Sequence, residues 1–518
     1  MAKRSWSKDN ATSRIVSRLA EVESVEIKDY VRDTDLTGLR NGLAYRVNGV
    51  HLYIDILNMD EMLGVTTTEG VTAHRRTLRF LNLHYRAVRN ILLDVDAIQV
   101  DFHNQRLHAV FAKPYDDEAA RIHRAVATAQ LIIDVLSQTG EDGNDPLPAA
   151  KVRVGIDSGE ALAVNNGRRG NREPLFLGEP ANLAAKRAGG GSKAGIFLTN
   201  NARSEVGWDE VDDVDTTALA KWQVKESQDE ATLSVTADDV LDEWESDLEK
   251  NPIGSIEFYR HTPPFQNLDL EVLTPKNSRR QELTSIYADI DGFTSYVSPR
   301  IDDDESAKDV VRALHVLRAE LDAVLHSDFA GRKIRFIGDC LHGVLVEGTS
   351  MTTDDDETAK NALLCAAALR SSFELALEIL EEEDIDVDGL GIQIGLEHGP
   401  TAITRLGVKG EMIRCCISRA VLRSEDEQLR CRGDETAIGP VINGYAPAAF
   451  KSLFGPTRRC AGFDYETATE ALRKEEADSK AAAPASGGLL RQATSAAAAD
   501  FTFPAKAAGP SKTPAGFA

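Results

Sequence analysis

The chain has 518 residues, of which 59 are Lys or Arg and 83 Asp or Glu, for a formal net charge of −24, and 42% are hydrophobic. This length suits two or three domains with cores of their own, and the charge disfavours duplex nucleic acid and anionic membranes, which both call for a basic face. No apolar run reaches the roughly 18 residues a spanning helix needs, the basic start MAKRSWSKDN lacks a signal peptide's apolar stretch, and six Cys without a CxxC pair are expected as free thiols of a reducing cytoplasm.

Residues 1–44 read as an N-terminal extension. A patterned region, 45–205, follows. It opens on the apolar strand HLYIDILNM, which carries Asp55, and about fifty residues later comes Gln105, followed by RLHAVF. Apolar spacing of the 3.6 type predicts a helix over 116–138. The strand VRVGIDSG (152–159) and the stretch EPLFLGEPANLAAKRAG (173–189) close the region. Residues 206–274 read as an acidic connector with short helical pieces such as 238–250: positions 205–250 hold 16 Asp and Glu against three Lys.

The second patterned region, 275–470, repeats the first. SIYADIDGF carries Asp289, and about fifty residues later Asp339 is followed by CLHGVL. IQIGLEHG (392–399) mirrors VRVGIDSG. Helical spacing covers 304–327 and 356–384. Four anchors in one order indicate an internal duplication of about 170–190 residues per copy, each an α+β or α/β sandwich. His108 and His342 recur at equivalent hairpin positions and read as structural. From 471 to 518 the chain is rich in Ala, Gly, Ser and Pro and is expected to be a disordered tail.

The chemistry lies in the second copy. Asp289 falls near a strand end, Gly292 allows a close turn, and Phe293 and Thr294 open a helix whose N–H groups can face an anion. Asp339 sits in a Gly-Asp turn between two strands. Two Asp on neighbouring strands can hold hard divalent cations, which take carboxylate and phosphate oxygens.

ADIDGFT (288–294) and KIRFIGDCLHGVL (333–345) resemble the two metal-site motifs of class III nucleotidyl cyclases. The resemblance implies an α+β fold of two cyclase-type domains with ferredoxin-like βαββαβ cores, paired about a pseudo-two-fold axis within one chain or as a homodimer. It implies two Mn²⁺ or Mg²⁺ ions on Asp289, Asp339 and the Ile290 carbonyl. From the other copy it implies Asn182 for the ribose and Lys186, where Arg is usual, for the α-phosphate. Phe293 and Thr294 would lie against substrate. In the first copy Gln105 replaces the second metal carboxylate. In the second copy Arg419 and Arg423 are expected where Asn and Arg should stand, leaving one active site and one pseudo-site.

The base-reading position in the first copy is Asp101, with Leu175 as its partner, and this is neither purine signature. Arg335 holds that position in the pseudo-site, where it could bind an anion. The stretch LDLEVLTPKNSRRQELTSIYADIDGFT is similar to the pyrimidine cyclases of bacterial anti-phage systems. The implied activity is conversion of UTP to cyclic UMP, a messenger for a downstream effector. CTP, a purine triphosphate and a non-catalytic nucleotide sensor are the alternatives, in that order.

Overall fold

The computed structural model describes residues 4–482, apart from 33, 65–66, 143–144, 166–173 and 409–411. The first patterned region runs β1 (Leu43–Ile56), α1 (Val71–Asp94), β2 (Ile98–His103), β3 (Arg106–Phe111), α2 (Glu118–Leu136), β4 (Val152–Asn165), β5 (Pro174–Leu177), α3 (Glu179–Gly189) and β6 (Gly195–Leu198). The second repeats this order: β7 (Ser278–Asp291), α4 (Asp304–Ala323), β8 (Arg332–Ile337), β9 (Cys340–Leu345), α5 (Asp355–Glu382), β10 (Gly391–Leu406), β11 (Ile413–Ile417), α6 (Arg419–Leu429) and β12 (Glu435–Ile438). Each copy forms one sheet. Their orders match: β2-β3-β1-β4 in the first and β8-β9-β7-β10 in the second, with β5 and β11 antiparallel, and β6 and β12 parallel, to the fourth strand.

Local chemistry starts the long helices. Asp117, Asp303 and Asp354 are N-caps whose carboxylates accept from the backbone N–H groups of Ala120, Ser306 and Glu357, satisfying donors a helix start leaves open. The repeat extends to side chains. Tyr53 stands opposite His108 on β1 and β3 with ring centroids 3.9 Å apart, and Tyr287 opposite His342 on β7 and β9 at 4.4 Å. Burial keeps these imidazoles neutral, His342 pushed down to about 3 and His108 well below its ordinary value, the latter also by His51.

The copies exchange apolar surface. Leu162, Leu175 and Leu177 of the first copy share a core cluster with Ile286, Ile290 and Phe293 of the second. Ala402, Ile413 and Ile417 of the second join the core of the first. The N-terminal extension ties them further. Its helix Lys8–Ala20 lies on α4 and α5 of the second copy, where Arg14 bridges Glu320 at 2.6 Å and Asp328 at 3.0 Å. The strand Glu26–Asp29 then adds in parallel to β1 of the first.

The acidic connector carries the expected helix and packs it on the first copy. Its helix Ala237–Lys250 faces outward with its carboxylates and inward with Val240 and Trp244, and the Trp244 indole donates to the Leu83 carbonyl at 3.0 Å. The disordered tail predicted from 471 does not hold over its first residues, because a helix spans Tyr465–Ala482 and packs on α5, with Leu472 against the core. Residues 483–518 lie outside the described residues.

Candidate active site

Asp289 lies near the end of β7, opposite Gln393 on β10. The chain then turns at Gly292, with φ 79°, into the short helix Phe293–Val297. A Cβ at Gly292 would stand 2.4 Å from the Gly389 carbonyl, so only glycine fits both the angle and the approach. Asp339 follows Gly338, φ 61°, in the β8–β9 turn. Because β9 pairs with β7, this turn carries Asp339 to Asp289. Asp339 is buried and Asp289 half-buried. Burial, then the neighbouring Asp291, pushes the Asp289 carboxyl up to about 7. Burial, then Asp289 itself, raises Asp339 well above the usual range.

Among the described residues no three His, Cys, Asp or Glu side chains group as a metal-ligand set. The site offers two converging carboxylates beside the Ile290 backbone, and their mutual repulsion is what a hard divalent cation relieves. The donor set therefore fits Mg²⁺ or Mn²⁺, with further oxygens to come from substrate or water.

Asn182 reaches this place from the other copy. It stands in the first turn of α3, is buried, and its Nδ2 donates to the Thr294 hydroxyl at 2.5 Å. Its Oδ1 is buried without a partner among the described residues. Lys186 is one turn further along the same helix and half-buried. Phe293 is buried in the core beneath the loop. The structure thus gathers Asn182, Thr294, Asp289, Ile290 and Asp339 at one junction of the two copies.

The equivalent place in the first copy is closed. Asp55 lies opposite Arg106 on β3 and Arg153 on β4. Arg106, where the second copy has Cys340, pairs closely with Glu425 of α6. A side-chain cation already occupies this position. Gln105 contributes its carbonyl, which accepts from Ile56 N–H at 3.0 Å.

Strand register corrects the sequence alignment of α6. A Cβ on Gly155 would meet Ala184 and Ala188, and one on Gly395 would meet Ser424 and Gln428. Likewise Leu177 pairs with Leu162, and Ile417 with Ala402. Asn182 therefore corresponds to Leu422 and Lys186 to Asp426, not to Arg419 and Arg423. Leu422 packs on the apolar cluster that holds Met59, Met62 and Leu63. Arg419 is instead a strut: its guanidinium donates to the Leu63 carbonyl at 3.1 Å and its backbone N–H to Glu69 at 2.8 Å. The second copy lacks both the amide and the cation.

Asp101 is held by its counterpart in the second copy. Its Oδ1 accepts from Arg335 Nη2 at 2.6 Å, and Arg335 also donates to the Phe102 carbonyl. Arg335 is fully buried, so it is no surface anion site. Leu175, expected as the neutral partner of Asp101, is buried in the core between the copies. The residue that reasoning from sequence missed is Gln428, whose Nε2 donates to Asp289 Oδ2 at 3.1 Å. Its position on α6 carried no motif.

The family Adenylate and Guanylate cyclase catalytic domain matches residues 276–419. The chain belongs to the class III nucleotidyl cyclases. Within them it stands in a family with two proteins named uridylate cyclase. One, from Pseudomonas aeruginosa, is 53% identical over 473 residues, 90% of this chain and 91% of the relative. The other, from a Rhizobium species, is 41% identical over 428 residues, 79% of this chain and 81% of the relative. A solved structure of a class III adenylyl cyclase-like ATP-binding protein from Pseudomonas aeruginosa aligns with TM-score 0.89 at 53% identity, over 91% of this chain and all of that one. Among the described residues no helix is long and apolar enough to cross a membrane.

Proposed function

We propose that this protein converts UTP to 3′,5′-cyclic UMP and pyrophosphate at a single composite site between its two copies. The observation that carries the reading is the Asn182–Thr294 hydrogen bond at 2.5 Å. It joins the helix bearing the amide and Lys186 in one copy to the loop of the metal carboxylates in the other. The sequence likeness to proteins named uridylate cyclase supports UTP. The two copies are read as a tandem pair of cyclase-type domains, 45–205 and 275–470, about a pseudo-two-fold axis. The equivalent residues Asp101 and Arg335 touch each other, as residues near such an axis must.

Asp289, Asp339 and the Ile290 carbonyl would hold two Mn²⁺ or Mg²⁺. Bound there, the ions would favour the ionised ribose 3′-oxygen and offset charge on the triphosphate. The protein's own part is positioning and electrostatics. Asn182 holds the ribose so that its 3′-oxygen lines up with the α-phosphorus. Lys186 sets its ammonium against charge developing on the α-phosphate, a point cation rather than the fork of Arg. Thr294 and the N–H groups of its turn lie beside the phosphates, with Phe293 anchoring that turn in the core. Asp101, oriented by Arg335, accepts from uracil N3–H. The product is read as a messenger that activates an effector in anti-phage defence, made in the cytoplasm by a protein whose copies pair within one chain.

The test is incubation with each of the four nucleoside triphosphates and Mn²⁺, followed by product resolution. Cyclic UMP as the main product upholds the reading. Cyclic CMP or cyclic AMP moves the base assignment, and no pyrophosphate release from any of them favours a nucleotide sensor.

A further inference from the structure

We infer that Gln428 is a positioning residue for Asp289, and that the Arg106–Glu425 ion pair holds the helix bearing it against the first copy. This rests on the reading of Asp289 as a metal carboxylate. Gln428 is fully buried, and its Nε2 is shared between Asp289 Oδ2 at 3.1 Å and Gln393 Oε1 at 2.8 Å. Its Oε1 has no partner among the described residues. The amide is therefore committed as a donor, and the acceptor it faces next to the site is Asp289. A carboxylate gripped in this way cannot rotate freely.

The helix cannot slide to relax this contact. A Cβ on Gly395 would lie 2.2 Å from Gln428 N and 2.2 Å from the Ser424 carbonyl, so α6 rests on β10 with no gap. Glu425 lies one turn before Gln428 on a neighbouring part of the same helix surface, and Arg106 of the first copy grips it. Arg419 fastens the start of the helix to the first copy through Leu63 and Glu69. The fixed end and the gripping end thus belong to one rigid rod. The corresponding positions of α3 are Ala184, Ala185 and Ala188, which have nothing to offer Asp55. The device exists only in the copy that keeps both carboxylates.

The test is Mn²⁺ binding, read as loss of the free-ion EPR signal in the presence of 3′-deoxy-UTP, which cannot cyclise. Gln428→Leu should weaken Mn²⁺ binding about tenfold and raise the Mn²⁺ needed for half-maximal turnover, with KM for UTP nearly unchanged. Arg106→Met should weaken binding in the same direction by a smaller factor, and the double variant should fall short of the product of the two effects. A merely structural role for Gln428 would lower the melting temperature and leave Mn²⁺ binding alone. Wild-type Mn²⁺ binding in folded Gln428→Leu overturns the inference. If that variant does not fold, wild-type binding in Arg106→Met overturns it instead. If Asp289→Ala binds Mn²⁺ like the wild type, the metal reading itself fails.

Discussion

Asp101 on β2 and Arg335 on β8 hold the same position in the two copies, one residue past the same strand irregularity and opposite His108 and His342, and they are joined to each other at 2.6 Å. Duplication makes two equivalent residues, but only their meeting lets opposite charges evolve at one site. Arg335 is fully buried, so Asp101→Ala should strand its charge and cost about 3–5 kcal/mol. Arg335→Met should cost a similar amount. The double variant Asp101→Leu with Arg335→Met should cost clearly less than the sum, as read from urea midpoints. Additive losses would mean the pair is not coupled.

Replacing Asp289 or Asp339 by Asn should lower kcat at least about 100-fold, the scale of losing a preorganised electrostatic contact. The fold should survive. Burial raises both carboxyls, with Asp291 adding to it at Asp289 and Asp289 adding to it at Asp339, so ionising them costs the metal-free protein stability. Metal-free Asp339→Asn should melt at or above the wild-type temperature at pH 8. Calorimetry with and without EDTA checks this, and a large fall in melting temperature would count against it.

Asn182→Ala removes a buried amide that reaches across the copies. It should lower kcat roughly 100-fold with KM for UTP changed little, the pattern of an interaction used mainly in the transition state. Lys186→Ala should act in the same direction, and Lys186→Arg should retain most of the activity because the cation remains. Steady-state kinetics on the three variants decides it. A rise in KM alone would place both residues in ground-state binding.

His51, His84 and His342 are each pushed down to about 3 by burial. Their folded-state values lie below the unfolded one near 6.5, so the stability they contribute is present above pH 6.5 and is lost as the pH falls toward 3. Each can contribute up to about 1.4 kcal/mol per pH unit over that range. Asp157 works the other way: burial raises it to about 7, so its contribution is present below about pH 4 and gone above pH 7. The two kinds of group oppose each other between about pH 4 and 6.5, so urea midpoints of single variants, not of the wild type alone, separate them. Asp157→Asn should stabilise the protein at pH 8 and do nothing for it near pH 4.

Much of the fold was legible in the chain. The spacing of Asp55 to Gln105 and of Asp289 to Asp339 exposed the repeat, and the helices over 118–136, 304–323 and 355–382 follow the apolar periodicity to within a few residues. The helix Tyr465–Ala482 was misjudged because an Ala-rich segment buries little by itself and is held by packing on α5. The register of α6 was misjudged because Arg419 and Arg423 matched a charge pattern, while the true alignment is set by glycines on β4 and β10 that admit the helix backbone.

By itself the sequence determined which side chains could do chemistry: two carboxylates kept in one copy, an amide and a cation kept in the other, the second carboxylate lost from the first copy and the amide lost from the second. It could do so because metal ligands and tight turns demand particular residue types at fixed short spacings. Tertiary structure alone decided who meets whom. Asn182 faces Thr294, Asp101 is bound by Arg335, and Gln428 grips Asp289. These contacts join residues more than a hundred positions apart, and their geometry comes from strand register and from two copies burying apolar surface against each other, which no local pattern encodes.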